Sequence, residues 1–441
     1  MLHQGQRIAI LGAGTSGIAA ARLAVASGAE WVGVFDSGDV VKLNPTAEML
    51  GSAGIECCFG AAAVEAPTDL DLVVLSPGID ATWPIAEAFA ATGAPLIGEI
   101  EFAYRHCDCP VVAITGTNGK TTTTELTAAV LEAGNLRTVA AGNYGKAFSE
   151  VILSGQRYDV ITLEISSFQL ETIETFRPKV SVWMNFAPDH LDRYASLDDY
   201  RAAKLRIFEN QTAEDFSVIN AAEPPCELLA KTVTFSGFGT PADFDFCDGW
   251  IRFQGAALLD FSTVRLVGKH NAENVMAALA IAHCLGIDPA LVLGTVRTYA
   301  PPHHRCEPVG EINGHCFIND SKATNLHALA SSLRGQESPV VLIAGGKNKG
   351  LDYAEMREFL PGAVSHVVCI GEIAGQITDL WGDLLPCEKA TNLEEAVRLA
   401  LAAANPGQTV LFSPGTSSFD MFSGYAERGD AFRDAVQQVA S

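Results

Sequence analysis

A glycine-containing turn between an apolar strand and a helix constrains this chain more than any other feature. The run Pro110 to Thr115 is typical of a buried strand. It leads into Gly116-Thr117-Asn118-Gly119-Lys120-Thr121, after which the pattern predicts a helix to about Glu132. In such a turn, backbone N–H groups at the helix start bind phosphate oxygens, the lysine reaches the outer phosphates, and the threonine hydroxyl can hold Mg²⁺. Although Ile114 stands where loops of this type usually have their first glycine, we interpret the segment as a phosphate-binding loop rather than an ordinary strand-to-helix turn.

Length and charge bound the remaining possibilities. A chain of 441 residues predicts about three domains of roughly 150 residues each. Its 29 Lys and Arg against 52 Asp and Glu give a net charge of −23, which argues against general binding to nucleic acid or anionic membranes. An anionic substrate would therefore need local clusters of cations.

The cysteines and the amino terminus indicate a cytoplasmic protein. The eleven cysteines lack the paired CxxC spacing of a zinc site and are typical of reduced thiols. Arg7 precedes an apolar run, as in an export signal, but glycines interrupt that run and Arg22 follows soon after. No charge-poor tract reaches the roughly 20 residues of a membrane span. We therefore expect no export.

Strands and helices alternate in three segments, which predicts an α/β fold with mostly parallel sheets. We place the domains at residues 1–102, 103–301 and 302–441, with a linker at Pro301-Pro302. The last strand of the first segment is predicted to end near Ser76-Pro77-Gly78, followed by a helical tail. Short alternating stretches between Asp243 and Leu266 predict antiparallel hairpins, and helices are expected at 271–285 and 289–299. Strands at 339–344, 366–370 and 409–412 with a helix at 393–403 predict a small doubly wound third domain.

The first segment carries a second glycine-rich turn. Gly12-Ala13-Gly14-Thr15-Ser16-Gly17 follows a strand, and Asp36 ends the next strand about twenty residues later. That spacing is the fingerprint of dinucleotide folds, so the residues of this segment taken alone favour NAD. The phosphate-binding loop in the next segment reverses this preference for NAD as the ligand of the first domain.

Oxygen ligands for a divalent cation are expected near the phosphate-binding loop. Glu164 ends the apolar strand Val160 to Leu163, at the edge where parallel sheets bind ligands. His190 follows Asp189 after another apolar strand, where a packed or solvated histidine is the alternative. Lys204, judged from the residues alone, is an ordinary lysine on a helix surface.

Several ordered blocks resemble the Mur ligase family over nearly the whole chain. These blocks are Thr115 to Thr124, Leu163 to Glu171, Pro188 to Tyr194, Tyr200 to Lys204, Gly268 to Asn274, Pro302 to Arg305 and Ile318 to Asn325. Within the family, the Asn319 to Asn325 block, with Ser413 to Asp420 and Glu427 to Asp430, is similar to the branch that adds D-glutamate to UDP-N-acetylmuramoyl-L-alanine. The resemblance implies a Rossmann-like first domain, a central P-loop ATPase-type domain and a Rossmann-like third domain.

The resemblance also implies a reaction and its catalytic residues. ATP would phosphorylate a substrate carboxylate, and the resulting acyl phosphate would react with the amine of glutamate. Lys120 would contact the ATP phosphates, Thr121 and Glu164 would hold one Mg²⁺, and His190 would contribute to a second metal site. Lys204 is similar to the lysine that the family carries as a carbamate, which requires a neutral amine and therefore a lowered pKa.

The same resemblance assigns the remaining binding residues. ATP would be bound by Gly116, Thr117, Asn118, Gly119, Lys120, Thr121, Thr122, Asn271, Asn274, Arg305 and Asp320. The UDP-linked substrate and glutamate would be bound by Gly14, Thr15, Ser16, Asp36, Gly78, Asn143, His190, Lys322, Thr324, Lys349, Ser418 and Tyr425. Gly38 and Tyr425 replace an arginine and a phenylalanine of well-known relatives.

Three alternatives stay open at the level of sequence. A close relative using L-glutamate would differ in pocket geometry that residue identities do not fix. An NAD-dependent oxidoreductase would use the first glycine turn, and a nucleotide sensor would bind without turnover. The expected partners are small molecules, with no nucleic acid and no membrane, and the resemblance implies a monomer. Because the predicted glutamate residues lie in the third domain and the phosphate-binding loop in the second, we expect the third domain to move toward the second on ATP binding.

Overall fold

The computed structural model describes residues 2–189, 193–300, 303–334, 336 and 338–440, except for the side chain of His327. His190 and the Pro301-Pro302 linker lie outside these ranges. Three sheets form within the described residues, each with helices on its faces. Among the helices in those ranges, none combines the length and the apolar character that crossing a bilayer demands.

The first sheet has five parallel strands in the order β3-β2-β1-β4-β5. Its elements are β1 Arg7–Leu11, α1 Thr15–Ala26, β2 Trp31–Asp36, α2 Val40–Gly51, β3 Glu56–Phe59, a 3₁₀ helix Gly60–Val64, β4 Leu72–Leu75, α3 Pro84–Ala90, β5 Leu96–Gly98 and α4 Glu99–Tyr104. The prediction that the last strand ends near Ser76 is wrong, because β5 follows. Three residues at a sheet edge are too few to show a period in the sequence.

The middle sheet has nine strands in the order β14-β13-β12-β11-β10-β9-β6-β8-β7. Its elements are β6 Val111–Thr115, α5 Lys120–Ala133, β7 Ala140–Gly142, α6 Phe148–Leu153, β8 Ile161–Glu164, α7 Ser167–Leu170, β9 Val180–Trp183, α8 Leu197–Leu205, a 3₁₀ helix Arg206–Phe208, β10 Phe216–Asn220, β11 Lys231–Ser236, β12 Phe244–Cys247, β13 Trp250–Phe253, β14 Ala256–Asp260, a 3₁₀ helix Phe261–Thr263, α9 Lys269–Cys284, a 3₁₀ helix Pro289–Val292 and α10 Leu293–Thr298. The predicted antiparallel hairpins are confirmed as β12, β13 and β14. The helix predicted at 289–299 is instead a 3₁₀ turn followed by the short α10.

The third sheet has six strands in the order β15-β16-β20-β17-β18-β19. Its elements are β15 Glu307–Ile312, β16 His315–Asn319, α11 Leu326–Arg334, β17 Val340–Gly345, a 3₁₀ helix Tyr353–Glu358, β18 Val364–Ile370, α12 Ala374–Trp381, β19 Cys387–Lys389, α13 Leu393–Ala403, β20 Val410–Phe412 and α14 Tyr425–Ala440. The three predicted strands and α13 are confirmed. The hairpin of β15 and β16 and the short β19 extend the predicted sheet.

Apolar side chains cover the faces of all three sheets. In the middle sheet, Val112 and Ile114 of β6 are buried against α5 and α9, while Ala113 faces the opposite cluster. Helix α4 contributes to two cores, since Phe102 packs in the first domain and Ile100 in the middle one. The boundary predicted at residue 102 therefore falls inside a helix that both domains share. This packing fixes the carboxyl ends of β6, β8 and β9 side by side, and these ends carry the candidate site.

Candidate active site

The turn between β6 and α5 requires glycine at two positions. Gly116 and Gly119 have φ values of +148° and +83°, a region that favours glycine. A Cβ at Gly116 would lie 2.8 Å from Met184 Cβ, and a Cβ at Gly119 would lie 2.4 Å from Asn274 Oδ1. Neighbouring elements therefore fix the turn from outside.

Asn185, which the sequence analysis missed, supports this turn directly. Its Oδ1 accepts from Asn118 N at 2.9 Å, and its Nδ2 donates to Asn118 O at 3.1 Å. Asn185 follows β9, the strand beside β6, so strand order brings it to the loop. A polar residue just after an apolar strand was the available signal, but the sequence did not show that the two strands are neighbours.

Two lysines converge on one carbonyl oxygen of the turn. Lys120 Nζ and Lys204 Nζ each donate to Gly116 O at 2.9 Å, and Lys120 also donates to Thr117 O at 2.9 Å. Reading Lys204 as a surface lysine is wrong, because α8 packs against the middle domain and leaves Lys204 only 2% exposed. Burial, and then the charge of Lys120, holds the pKa of Lys204 well below its usual range. Burial also lowers the pKa of Lys120.

A buried carboxylate faces the start of α5. Glu164, at the end of β8, is 3% exposed. Its Oε2 accepts from Thr121 Oγ1 at 2.5 Å and its Oε1 accepts from Asn143 Nδ2 at 2.8 Å. These are hard oxygen donors at a helix start, a donor set that fits Mg²⁺ bound together with phosphate oxygens. Of the other predicted metal ligands, Lys204 lies at the turn described above, and His190 lies outside the described residues.

Polar side chains of α9 approach the turn from the other side. Thr123 Oγ1 donates to Asn274 Oδ1 at 3.2 Å, and Asn274 Nδ2 donates to Asn271 Oδ1 at 2.9 Å. Both asparagines line a cavity with Asn118, Gly119 and Thr122. Residues of the third domain complete that cavity, namely Arg305, Asp320 and Lys322. The structure thus brings the predicted ATP-binding residues of two domains to one place.

Asp320 is held firmly in the third domain. Its Oδ2 accepts from Ser413 Oγ at 2.9 Å and from the Ser332 hydroxyl, and its Oδ1 accepts from Cys306 N at 3.2 Å. Burial raises the pKa of Asp320, which these hydrogen bonds oppose. The side chain is therefore fixed at the cavity wall.

Lys322 and Lys349, both predicted to bind glutamate, line different cavities. Lys322 Nζ lies 3.9 Å from the centre of the Tyr425 ring, and burial, then the charge of Arg305, lowers the pKa of Lys322 to about 8. Lys349 lines a separate cleft with Asp189 and Arg334. Thr324 is partly buried, and Ser418 is 2% exposed.

The residues predicted to bind the UDP-linked substrate lie at the carboxyl edge of the first sheet. Gly14 is the N-cap of α1, followed by Thr15 and the exposed start of the helix. Asp36 Oδ2 accepts from Ala13 N at 2.7 Å, and its Oδ1 accepts from Gly38 N at 2.8 Å. The helix residue Ser16 and the turn residue Gly78 lie at the same edge.

Arg193, also missed at the sequence level, connects this edge to the middle domain. It donates from Nη1 to Pro77 O at 3.2 Å, and its Nε lies 3.2 Å from Asp80 Oδ2. Its guanidinium also stacks on Phe168 at 3.9 Å from the ring centre. An arginine within the Pro188 to Tyr194 block was visible in the sequence, but its partner in another domain was not.

Comparison with known proteins agrees with this architecture. The Mur ligase MurD-like N-terminal domain matches residues 6–98, the Mur ligase middle domain matches 114–282, and the Mur ligase glutamate ligase domain matches 304–415. The UDP-N-acetylmuramoylalanine--D-glutamate ligase of Geotalea daltonii is 40% identical, covering 99% of this chain and 98% of its own. The relative of the same name from Pelotomaculum thermopropionicum is 38% identical, covering 98% and 97%.

Solved structures show the same fold. The UDP-N-acetylmuramate-alanine ligase of Thermotoga maritima has a TM-score of 0.62 at 20% identity, covering 98% of this chain and 100% of its own. A pseudomurein peptide ligase from Methanothermus fervidus has a TM-score of 0.62 at 17% identity, covering 99% and 100%. With two full-length relatives near 40% identity and the three domain matches in order, the chain belongs to the Mur ligase family.

Proposed function

We propose that this chain ligates D-glutamate to UDP-N-acetylmuramoyl-L-alanine at the expense of ATP, a step of peptidoglycan synthesis. The main observation behind this proposal is a cluster of side chains at the β6–α5 turn. Lys120, Lys204 and Glu164 all contact the turn or the start of α5, beside a cavity that the third domain completes. The full-length similarity to relatives named for this reaction supports the choice of substrates.

The chemistry proceeds in two transfers. A carboxylate does not condense with an amine in water because its oxygen is a poor leaving group. The alanyl carboxylate oxygen therefore attacks the terminal phosphorus of ATP, and the bond to ADP breaks, leaving an acyl phosphate. The neutral amine of glutamate then attacks the acyl carbon, phosphate leaves, and the amine loses a proton. The products are the amide, ADP, phosphate and H⁺.

The protein stabilises the charge that moves in the first transfer. Lys120 binds the outer phosphates, while the turn from Gly116 to Thr122 offers backbone N–H groups to them. Thr121 and Glu164 would hold one Mg²⁺, and His190 and Lys204 would serve a second metal site. When bound, Mg²⁺ neutralises phosphate charge and polarises the transferred group.

Lys204 carries a carbamate in this proposal. Its neutral amine would add to CO₂ and lose one proton, which gives an anionic carbamate with oxygen atoms that can bind a metal. The reaction needs the neutral amine, and the burial of Lys204 next to Lys120 favours that form. Protein equilibrated with ¹³C-bicarbonate should show a carbamate resonance that Lys204→Arg lacks, and an identical spectrum in both would refute the modification.

In this proposal each of the three domains binds a different substrate. Residues 1–102 bind the UDP-linked substrate through Gly14, Thr15, Ser16, Asp36 and Gly78, and residues 103–301 bind ATP. Residues 302–441 bind glutamate through Lys322, Thr324, Lys349, Ser418 and Tyr425, and close over ATP with Arg305 and Asp320. Asn143, which directly follows β7, donates to Glu164 and so links substrate binding to the metal site.

The test is a substrate-omission assay. The protein is incubated with ATP, Mg²⁺, UDP-N-acetylmuramoyl-L-alanine and D-glutamate, and ADP release is measured with each component omitted in turn. We expect ADP release only when both UDP-N-acetylmuramoyl-L-alanine and glutamate are present. ADP release should be faster with D-glutamate than with L-glutamate. Release that ignores the acceptors, or a preference for L-glutamate, would contradict the proposal. Sedimentation of the same preparation tests the predicted monomer.

A further inference from the structure

The loop that follows β9 is fixed on the phosphate-binding turn. Its Ala187 N donates to Thr117 Oγ1 at 3.0 Å, and Thr117 Oγ1 donates to Ala187 O at 3.2 Å. Together with the Asn185–Asn118 pair, these bonds hold two successive parts of the loop. The loop is therefore held at the turn up to Ala187, two residues before Asp189.

The charge of Asp189 also acts on the two lysines of the site. Burial lowers the pKa values of Lys120 and Lys204, and the negative charge of Asp189 opposes this shift in both. The carboxylate is only 8% exposed. A displacement of Asp189 would therefore change the electrostatic surroundings of both lysines.

Asn325 of the third domain contacts this carboxylate. Its Nδ2 donates to Asp189 Oδ2 at 2.9 Å, and its Oδ1 accepts from Ala328 N at 2.8 Å. The second bond makes Asn325 the N-cap of α11. Asn325 is 6% exposed, so the amide lies at a closed contact between two domains. It directly follows Thr324 and is three residues from Lys322.

We infer that Asn325 is a positioning residue: its bridge to Asp189 sets where the glutamate-binding segment of the third domain stands relative to the Lys120–Lys204 pair. The inference rests on the proposed function, since it concerns the same reaction. A hydrogen bond between a buried amide and a buried carboxylate is directional, so it selects one arrangement of the two domains. Near-attack geometry for the amine depends on that arrangement.

Asn325→Ser separates the bridge from the helix cap. Serine also caps helices but is too short to reach Asp189. We expect the apparent kcat/KM for D-glutamate to fall about 10-fold to 100-fold, the range for a lost buried hydrogen bond to a charged group. The KM for the UDP-linked substrate, which binds the first domain, should not change. A uniform change in all substrates would contradict the inference.

Asn392→Ser is the matched control. Asn392 is the exposed N-cap of α13 in the same domain, and its Oδ1 accepts from Glu395 N at 2.9 Å. Both variants should have similar Tm values, and the control should keep wild-type kinetics. A kinetic loss in the control equal to that of Asn325→Ser would show that cap geometry alone is responsible.

Exchanging the partners gives a stricter test. Asn325→Asp places two carboxylates together and should be the worst variant. The double variant Asp189→Asn, Asn325→Asp restores one donor and one acceptor and keeps the cap, so kcat/KM should recover at least tenfold over Asn325→Asp. A double variant as poor as Asn325→Asp refutes the bridge.

Scattering supplies a readout that does not depend on turnover. Loss of the bridge should increase the radius of gyration of Asn325→Ser, and the exchanged double variant should return it toward wild type. If the wild type fails to ligate but scattering shows these changes, the proposed function fails and the bridge stands. If the wild type ligates, but Asn325→Ser changes neither the kcat/KM for D-glutamate nor the radius of gyration, the bridge is refuted and the proposed function stands.

Discussion

Two glycine turns of this protein share a local plan but have different electrostatic surroundings. The first turn, Gly12 to Gly17, and the second turn, Gly116 to Thr121, each connect a central parallel strand to a helix. In the first turn a carboxylate, Asp36, accepts from the backbone N–H of Ala13. In the second, the Nζ atoms of Lys120 and Lys204 both donate to Gly116 O. The glycine pattern thus specifies a helix start open to a ligand, while the side chains from other strands determine which ligand it suits.

The two turns also differ in packing. Gly14 has φ −79°, and a Cβ added at this residue would have no heavy atom within 4 Å, so the first turn is open on that side. Gly119 has φ +83° and lies against Asn274. The first turn is closely packed at Gly12, where a Cβ would lie 2.9 Å from Ser76 Cβ, so the two turns differ in packing at Gly14 and Gly119. The close packing at Gly119 suits preorganised binding of a phosphate chain.

Lys120→Ala is expected to have the largest effect. If this variant kept its activity, the contrast between the two turns would be wrong. Removing the cation that reaches the terminal phosphate should lower kcat for ADP release by about 10³-fold or more, the scale of losing a main stabilising group of the transition state. Lys231→Ala, at an exposed lysine of the same domain, is the control. An NAD-dependent oxidoreductase working from the first turn would predict no effect of Lys120→Ala. If Lys120→Ala retained nicotinamide-dependent turnover, the catalytic site would therefore have to be assigned to the first turn.

Glu164→Gln should give the next largest effect. The glutamine can still bond to Asn143 and Thr121, so the fold is kept while one negative charge is lost. We expect kcat to fall about 100-fold and the Mg²⁺ concentration at half-maximal rate to rise, since a neutral amide is a weaker ligand for a hard cation. The measurement is a Mg²⁺ titration of ADP release. A reduced rate with an unchanged Mg²⁺ requirement would mean that Glu164 acts without metal.

The sequence predicted the two turns because their signals are local. A buried strand, glycines at defined places and a following helix lie within about fifteen residues, so periodicity and turn chemistry suffice. The short edge strands β5 and β19 were not predicted, because three residues show no period. The helix at 289–299 was predicted too long, since a proline-initiated 3₁₀ turn precedes α10.

The contacts that complete the site could not be predicted from local pattern. Asn185 reaches the second turn only because β9 lies beside β6, and Lys204 is buried only because α8 packs there. Arg193 and Asn325 find partners in other domains, at sequence separations of more than one hundred residues. The resemblance to the family pointed to Lys204, whereas residue type alone suggested solvent exposure.

Gly119→Ala and Gly14→Ala sharpen the difference in packing. Alanine at Gly119 must adopt a left-handed conformation and displace Asn274, so we expect a loss of about 2 kcal/mol in the free energy of unfolding and roughly tenfold in kcat. Alanine at Gly14 meets open space with an allowed φ, so its unfolding free energy should stay within about 0.5 kcal/mol of wild type. Chemical denaturation of both variants checks this. Equal losses would mean that the first turn is as constrained as the second.

Asp36→Asn gives the smallest expected effect and tests the charge of the first turn. The asparagine can accept from only one of the two N–H groups that Asp36 serves, Ala13 N and Gly38 N, so one charge-assisted bond is lost. We expect the KM for the UDP-linked substrate to rise about fivefold, with a stability loss of about 1 kcal/mol. Because the second turn lies in another domain, the KM for ATP should stay unchanged.

Asp39→Asn provides the matched control for this last substitution. Asp39 caps α2, its Oδ1 accepting from Val41 N at 2.9 Å, and it is exposed. Asparagine caps a helix about as well as aspartate, so this variant should keep both stability and the KM for the UDP-linked substrate. If Asp39→Asn raised that KM as much as Asp36→Asn, general loss of negative charge near α2 would explain both, and the carboxylate at the first turn would have no specific part in binding. A rise confined to Asp36→Asn means that the first turn binds its ligand through this carboxylate, in contrast to the cation, Lys120, that we propose for the second turn.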